Sequence, residues 1–181
     1  MKRLVIFYVF FATLALTCVA AQQQAAAELS FTYTKQSGSG SNQFAVWIED
    51  SQGVHVKTLY ATRYTANGGW KRRATSIPQW VKRSGLSGMT RSQIDAFSRA
   101  TPKAGNLTYR WDGTDNRGTA LPPGEYTIYL EGTLRGESQV LYRAPIQIGR
   151  GPGPAEVVVE YIGTATAERA MISAVTAKVL R

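Results

Sequence analysis

The chain has very few of the side chains from which enzymes build nucleophilic and metal centres. Among its 181 residues, Cys18 is the only cysteine and His55 the only histidine. Cys18 lies in an N-terminal apolar segment, so a chain that has lost this segment has no disulfide, thiolate nucleophile or cysteine ligand. His55 has no catalytic or metal-binding partner pattern near it, and we interpret it as a surface histidine of a strand. We therefore predict no catalytic residue, no metal site and no enzymatic activity.

Acidic residues are also few, and their shortage is local. The chain carries 21 Lys and Arg residues against 12 Asp and Glu residues. Between Lys71 and Lys103 there are eight basic residues and a single acid, Asp95, whereas the rest of the mature chain is balanced. The net positive charge therefore belongs to one segment, which is expected to attract anionic groups.

The N-terminus has the pattern of a secretory signal peptide. Lys2 and Arg3 precede an apolar run over 4–17, and small residues follow before a cleavage site at Gln22. The run is shorter than the roughly 20 residues of a membrane span. We predict a signal peptide over 1–21 and export to the periplasm, where nucleic acid is not an expected partner.

Two features near the cleavage site leave alternatives open. Residues 22–28 are rich in Gln and Ala and are predicted to form a flexible leader. Cys18 allows a lipidated form, and the apolar run could also be retained as an N-terminal anchor.

Beyond the leader, the hydrophobic pattern alternates with the period of β-strands. Pro145 lies inside one of these runs and indicates an edge strand or a bulge. Strands follow one another with turns between them, which favours an antiparallel sandwich over a nucleotide-binding βαβ fold. We predict an all-β, immunoglobulin-like antiparallel β-sandwich over 29–181, with strands near 29–34, 44–49, 54–64, 107–111, 125–134, 138–148, 156–162 and 170–180.

A short helical insert is predicted at about 68–105, where the alternation stops. Pro78 suits the first turn of a helix over 77–83. Thr90 and Gln93 have the spacing of a capping box, which predicts a second helix over 91–100.

The stretch Trp111–Gly118, followed by Pro122–Thr127, predicts a tight turn that feeds a strand. Asp112 and Asp115 are interpreted as turn-forming residues, with a weak calcium site as the alternative. Gly149–Gly153 contains Pro152 and opens no helix, so it is not a phosphate loop. We predict no bound cofactor.

Several of these stretches resemble known families. Trp111–Thr127 is similar to the immunoglobulin-like repeat of the flagellar hook-capping protein. The mature chain as a whole resembles the predicted periplasmic proteins grouped as domain of unknown function 2271, on the stretches Phe44–Glu49, Thr58–Arg63, Gly69–Trp70, Ile77–Trp80 and the turn motif.

This resemblance implies a setting and no catalytic residues. Members of the family are associated with membrane proteins of the PepSY type and with periplasmic flavin transfer, although this chain shows no flavin-attachment sequence. The resemblance therefore implies an accessory role in a membrane-associated redox or metal-uptake system, with an inner-membrane PepSY-type protein or an anionic envelope component as partner.

The insert is the predicted binding region, because it combines tryptophans with the unbalanced positive charge. Arg and Lys attract anions and Trp adds an amphipathic contact. The alternative is that the tryptophans cover the sandwich core and the charges are only solvated. We predict a periplasmic binding or accessory protein, or alternatively a carbohydrate- or anionic-lipid-binding module, with contacts from Trp70, Lys71, Arg72, Arg73, Trp80, Lys82 and Arg83.

Overall fold

A computed structural model of the chain describes residues 25–36, 42–134, 137–163 and 171–181. The predicted signal peptide over 1–21 lies outside the described residues. The elements are β1 (Ala27–Tyr33), β2 (Gln43–Asp50), β3 (His55–Thr62), α1 (Arg63–Ala66), α2 (Pro78–Arg83), α3 (Arg91–Phe97), β4 (Ser98–Arg99), β5 (Gly105–Trp111), β6 (Gly124–Thr133), β7 (Gln139–Ile148), β8 (Gly153–Ala155), β9 (Val158–Ile162) and β10 (Ile172–Val179).

The strands form two sheets that pack face to face, so the predicted all-β sandwich with few short helices is confirmed. The smaller sheet has the order β5-β1-β10-β8, and the larger has the order β4-β3-β2-β6-β7-β9. Neighbouring strands are antiparallel except for the short parallel pair of β3 with β4. β1 begins at Ala27, so the last two residues of the predicted leader belong to the sandwich.

The main core lies between the sheets and follows from the alternation of the strands. Every second residue of β1 and β2 points inward, and Leu29, Phe31, Phe44, Val46 and Ile48 are all at most 2% exposed. Phe31 and Phe44 meet edge to face at 5.6 Å. Burial of this apolar surface is the main stabilising contribution to the fold.

The turn motif builds one end of this core. The Trp111 indole donates to the Thr114 carbonyl at 2.8 Å and meets the Tyr126 ring edge to face at 4.9 Å. The Tyr126 hydroxyl donates to the Pro122 carbonyl at 2.8 Å, in the manner of the tyrosine corner of β-sandwiches. The motif is therefore part of the scaffold.

Pro145 lies in β7, which is an internal strand of the larger sheet. Its partner β9 pairs only with residues 139–143 of β7. Pro145 therefore pairs with Thr127 of β6 on one side. No strand pairs with it on the other side, so the N–H group that proline lacks interrupts no pairing there.

The outer face of the smaller sheet carries matched polar side chains. Glu28 of β1 lies between Arg110 at 2.7 Å and Lys178 at 3.2 Å. One step along the strands, the Ser30 and Thr108 hydroxyls lie 2.8 Å apart. Because these groups satisfy one another, this face behaves as a solvated surface of the sandwich.

Candidate binding site on the helical insert

The insert runs from α1 to α3 and covers the outer face of the larger sheet. The two predicted helices, α2 and α3, lie where the sequence indicates, and the capping box between Thr90 and Gln93 is confirmed. α3 ends at Phe97, three residues before the predicted end, because Ser98 and Arg99 form the short strand β4. The insert begins at Arg63, five residues before its predicted start.

A second apolar core holds the insert against the sheet. Trp80 of α2 is completely buried and meets Phe97 of α3 edge to face at 5.7 Å. Beneath them lie Ala45, Trp47 and other outward-facing side chains of the larger sheet. The outer face of this sheet is therefore buried as well, which the alternation alone does not reveal.

Glu131 anchors the start of α2. Its carboxylate, 0% exposed, accepts the backbone N–H groups of Gln79 at 3.1 Å and Trp80 at 2.8 Å. Burial raises the pKa of Glu131 to about 7, although these two N–H groups and Arg83 favour the charged form. The neighbouring Thr133 hydroxyl accepts the Ile77 N–H at 2.7 Å. Two adjacent polar side chains of β6 thus fix the N-terminus of α2.

Glu49 anchors the other end of α2. Its carboxylate is also completely buried and lies 2.8 Å from the Arg83 guanidinium and 2.7 Å from the Trp47 indole nitrogen. Arg83 in turn lies over the Tyr129 ring, 5.2 Å from its centroid. Arg83 is therefore engaged by the sheet.

His55 is more enclosed than its interpretation as a surface histidine of a strand predicts. It is partly buried, its Nε2 lies 2.8 Å from the Thr58 hydroxyl, and burial lowers its pKa to about 4. The Trp80 indole donates to the same Thr58 oxygen at 3.0 Å. His55 is thus tied into the packing of the insert and is not a freely solvated surface residue.

The predicted contact residues fall into two groups. Trp80 is completely buried in the second core, which corrects its prediction as a contact. Arg83 is paired with Glu49 but its side chain remains 35% exposed, so its role as a contact stays a prediction. Trp80 instead fills the alternative role, since it covers the sheet. Lys71, Arg72 and Lys82 are exposed, whereas Trp70 and Arg73 are partly buried. Arg73 donates to the Thr75 hydroxyl at 3.3 Å.

Two depressions lie side by side on the exposed surface of the insert. We call the first the arginine pocket; it has a volume of about 420 Å³ and is lined by Arg63, Tyr64, Asn67, Gly68, Gly69 and Arg72. We call the second the apolar groove, after the apolar side chains in its otherwise polar lining; it has a volume of about 240 Å³ and is lined by Ala66, Asn67, Gly68, Trp70, Lys71, Leu86, Ser87, Met89, Arg91 and Ile94. Asn67 and Gly68 belong to both, so the depressions share a wall.

Two glycines shape this wall. Gly68 has a φ of +95°, a left-handed conformation that other residues rarely adopt. Gly69 begins the 3₁₀ turn Gly69–Lys71, and a Cβ atom here would lie 2.5 Å from Tyr64 Cε1. The glycine pair therefore allows α1 to pack closely against the turn that carries Trp70 and Lys71.

The cations of the insert differ in how they are balanced. Arg91 pairs with Asp95 at 3.1 Å, and Arg99 donates to backbone carbonyls at the end of α3. Arg63, Lys71 and Arg72 form no ion pair with a carboxylate of the described residues. The Lys71 ammonium lies over the ring of Trp70, 5.6 Å from its centroid. The uncompensated positive charge therefore surrounds the two depressions.

The sequence patterns do not identify two residues of this site, Arg63 and Tyr64. They lie at the end of the predicted strand 54–64 and outside the basic run that begins at Lys71. The glycine pair, which returns the chain towards α1, brings Arg63 and Arg72 to one pocket. Arg63 ends the family-like stretch Thr58–Arg63, which was the available signal.

The aspartates of the turn motif are used for structure. Asp112 lies 2.9 Å from the Lys57 ammonium, and the Asp115 carboxylate accepts the N–H groups of Arg117 and Thr119, each at 2.8 Å. Across the described ranges, no group of three or more His, Cys, Asp or Glu side chains could hold a metal ion.

Two further depressions lack a uniform charge. One of about 690 Å³ borders the Asp50–Gly53 turn and combines Asp50 and Glu125 with Arg150. The other, of about 150 Å³, lies between β3 and α3, where Lys57 is already engaged by Asp112. The depressions on the insert are therefore the ones whose charge selects a class of ligand.

Comparison with known proteins identifies a family. The model of the family described as predicted periplasmic protein (DUF2271) matches residues 24–163. No curated protein and no solved structure matches the chain. The likeness of Trp111–Thr127 to the flagellar hook-capping protein has no support among these comparisons and stays a sequence interpretation.

Proposed function

Because the chain belongs to this family of predicted periplasmic proteins, we propose that it is a non-enzymatic binding protein whose insert docks onto an acidic surface of a partner. The partner that the family resemblance implies is an inner-membrane protein of a redox or metal-uptake system. The observation that carries the proposal is the position of Arg63, Lys71 and Arg72, which surround two depressions without a carboxylate partner of their own.

The two glutamates below the insert support the same reading. Glu49 and Glu131 are acids that contact α2, and both form hydrogen bonds that anchor this helix to the sheet. They hold the insert in place without neutralising its outer surface. A rigid, positively charged surface is what electrostatic steering of an acidic partner requires.

A protein partner fits this surface better than a lipid membrane. Proteins that lie on membranes insert protruding apolar side chains between the lipids. On the insert, Trp70, Met89 and Ile94 are partly buried in a groove. Among the described residues of the insert, Tyr64 is the one large apolar side chain that is exposed. No helix of the described residues is long and apolar enough to cross a membrane.

Affinity co-purification from envelope membranes tests the proposal. A variant with Arg63→Glu, Lys71→Glu and Arg72→Glu reverses the charge around both depressions, and the captured membrane protein is expected to be lost. The matched control carries Lys35→Glu, Arg117→Glu and Arg150→Glu, three exposed cations outside the insert with the same change in charge. This control is expected to retain the partner.

Which of the two variants loses the captured partner decides whether the insert is the binding surface. Equal loss in both variants would indicate a non-specific effect of net charge, and retention by both would refute the role of the insert. Retention of the unaltered protein on anionic vesicles, combined with no captured protein, would favour the anionic-lipid alternative. Circular dichroism and melting curves of both variants check that each remains folded.

A further inference from the structure

The shared wall between the two depressions suggests a ligand that enters both. We propose that the insert recognises an extended acidic peptide segment, whose carboxylate enters the arginine pocket while an apolar side chain two residues away, on the same face of the segment, enters the apolar groove. This inference rests on the proposed function, because it names the chemistry recognised by the same surface. The other cations of the insert then attract the segment without selecting its sequence.

The arginine pocket has the chemistry of a carboxylate site. Arg63 and Arg72 both line it and neither is paired with a carboxylate of the described residues. A guanidinium binds a carboxylate through two parallel hydrogen bonds, which fixes its orientation as well as its position. Asn67 adds an amide to the lining, and Tyr64, which is 47% exposed, forms an aromatic rim.

The apolar groove has the size for one side chain, and its mixed lining presents apolar side chains beside polar and charged groups. Its volume of about 240 Å³ is below the roughly 300 Å³ at which sites for whole small-molecule ligands begin. Trp70, Met89 and Ile94 line it, and methionine adapts to side chains of different shape. Lys71 and Arg91 also line the groove, where they can contact acidic residues beside the apolar one.

Intrinsic fluorescence provides a local readout of the groove. The chain has four tryptophans, and Trp47, Trp80 and Trp111 are at most 1% exposed. Trp70 is the one that is partly exposed. Emission that acrylamide can quench therefore comes mainly from Trp70, and a ligand in the groove is expected to protect it.

The experiment compares two hexapeptides with capped ends, one of five glutamates with leucine at the third position, the other with serine in place of leucine. Both carry the same charge. The leucine peptide is expected to bind at least about tenfold more tightly, since burial of a leucine side chain contributes that much, and to reduce quenching of Trp70. Isothermal titration measures both affinities on the unaltered protein.

Variants separate the two parts of the site. Arg63→Gln with Arg72→Gln is expected to weaken both peptides, whereas Met89→Gln is expected to weaken only the leucine peptide. Arg117→Gln with Arg150→Gln is the control of equal charge outside the insert. Melting curves accompany each variant, and the peptide comparison on the unaltered protein does not depend on any variant folding.

Each outcome bears on one proposal. Equal affinity for the leucine and serine peptides would overturn two-part recognition, while capture of a membrane partner in the earlier experiment would still uphold docking by the insert. Binding of vesicles that contain phosphatidylglycerol, without binding of either peptide, would overturn the peptide inference in favour of lipid head groups. Tighter binding of the leucine peptide, lost in Met89→Gln, supports the inference.

Discussion

Glu131 is expected to make the stability of the protein depend on pH. Burial raises its pKa from an ordinary value near 4.5 to about 7. A group whose pKa is raised on folding contributes stability that is complete below pH 4.5 and is lost as the pH rises through 7. One pKa unit corresponds to about 1.4 kcal/mol. The titration of Glu131 is therefore expected to lower the free energy of unfolding by about 3 kcal/mol as the pH rises from 4.5 to 7.

His55 acts in the opposite direction over nearly the same range. Burial lowers its pKa from 6.5 to about 4. Its contribution to stability is therefore complete above pH 6.5 and is lost as the pH falls through 4. The same conversion gives up to about 3 kcal/mol, and the real value is smaller because the ring is partly exposed.

The two contributions largely cancel in the unaltered protein. Its free energy of unfolding is expected to change little between pH 4.5 and 6.5. In Glu131→Gln the remaining His55 contribution makes stability rise with pH, and in His55→Asn the remaining Glu131 contribution makes it fall. Each slope is expected to reach about 1 kcal/mol per pH unit.

Urea unfolding at pH 4.5, 5.5 and 6.5, followed by tryptophan fluorescence, measures these slopes. The double variant Glu131→Gln/His55→Asn is expected to return to a shallow profile, which controls for the other titrating groups. Parallel profiles in all four proteins would refute the assignment of the two buried groups. Slopes of the opposite sign would show that the neighbouring hydrogen bonds outweigh burial.

Much of the fold follows from local patterns in the sequence. Alternation with a period of two identifies the strands of both sheets, because one face of each strand packs into the main core. The capping box of Thr90 and Gln93 fixes the start of α3, since both of its hydrogen bonds form within four residues. The turn after Trp111 is equally local.

The site is less predictable because the insert covers a face that the alternation marks as polar. Glu49 and Glu131 alternate with inward-facing residues and therefore suggest solvent, yet both are completely buried. Trp80 suggests a surface contact because it stands beside Lys82, although its indole points into the second core. Only the path of the insert across the sheet distinguishes these cases. Trp47, a large apolar residue on the outer face of β2, is the feature of the sequence that indicates a covered face.

Two further predictions concern stability and use urea unfolding. Tyr126→Phe removes the hydrogen bond to the Pro122 carbonyl and is expected to cost about 1 kcal/mol; an unchanged midpoint would show that this bond is not stabilising. Thr90→Ala removes the N-cap of α3 and is expected to cost about 1 kcal/mol, with Ser87→Ala, an exposed position that forms no cap, as its control. Equal effects of the two substitutions would contradict the capping role.

The glycine pair separates backbone strain from close packing at the site. Gly68→Ala meets no neighbouring atom but must adopt a φ of +95°, so it is expected to cost stability of about 1 kcal/mol. Gly69→Ala requires the turn to move away from Tyr64, which displaces Trp70 and the wall between the two depressions. Acrylamide quenching of Trp70 is therefore expected to change more in Gly69→Ala than in Gly68→Ala, together with the affinity for the leucine peptide. A larger change in Gly68→Ala would show that the conformation of this turn, and not its packing against Tyr64, positions the groove.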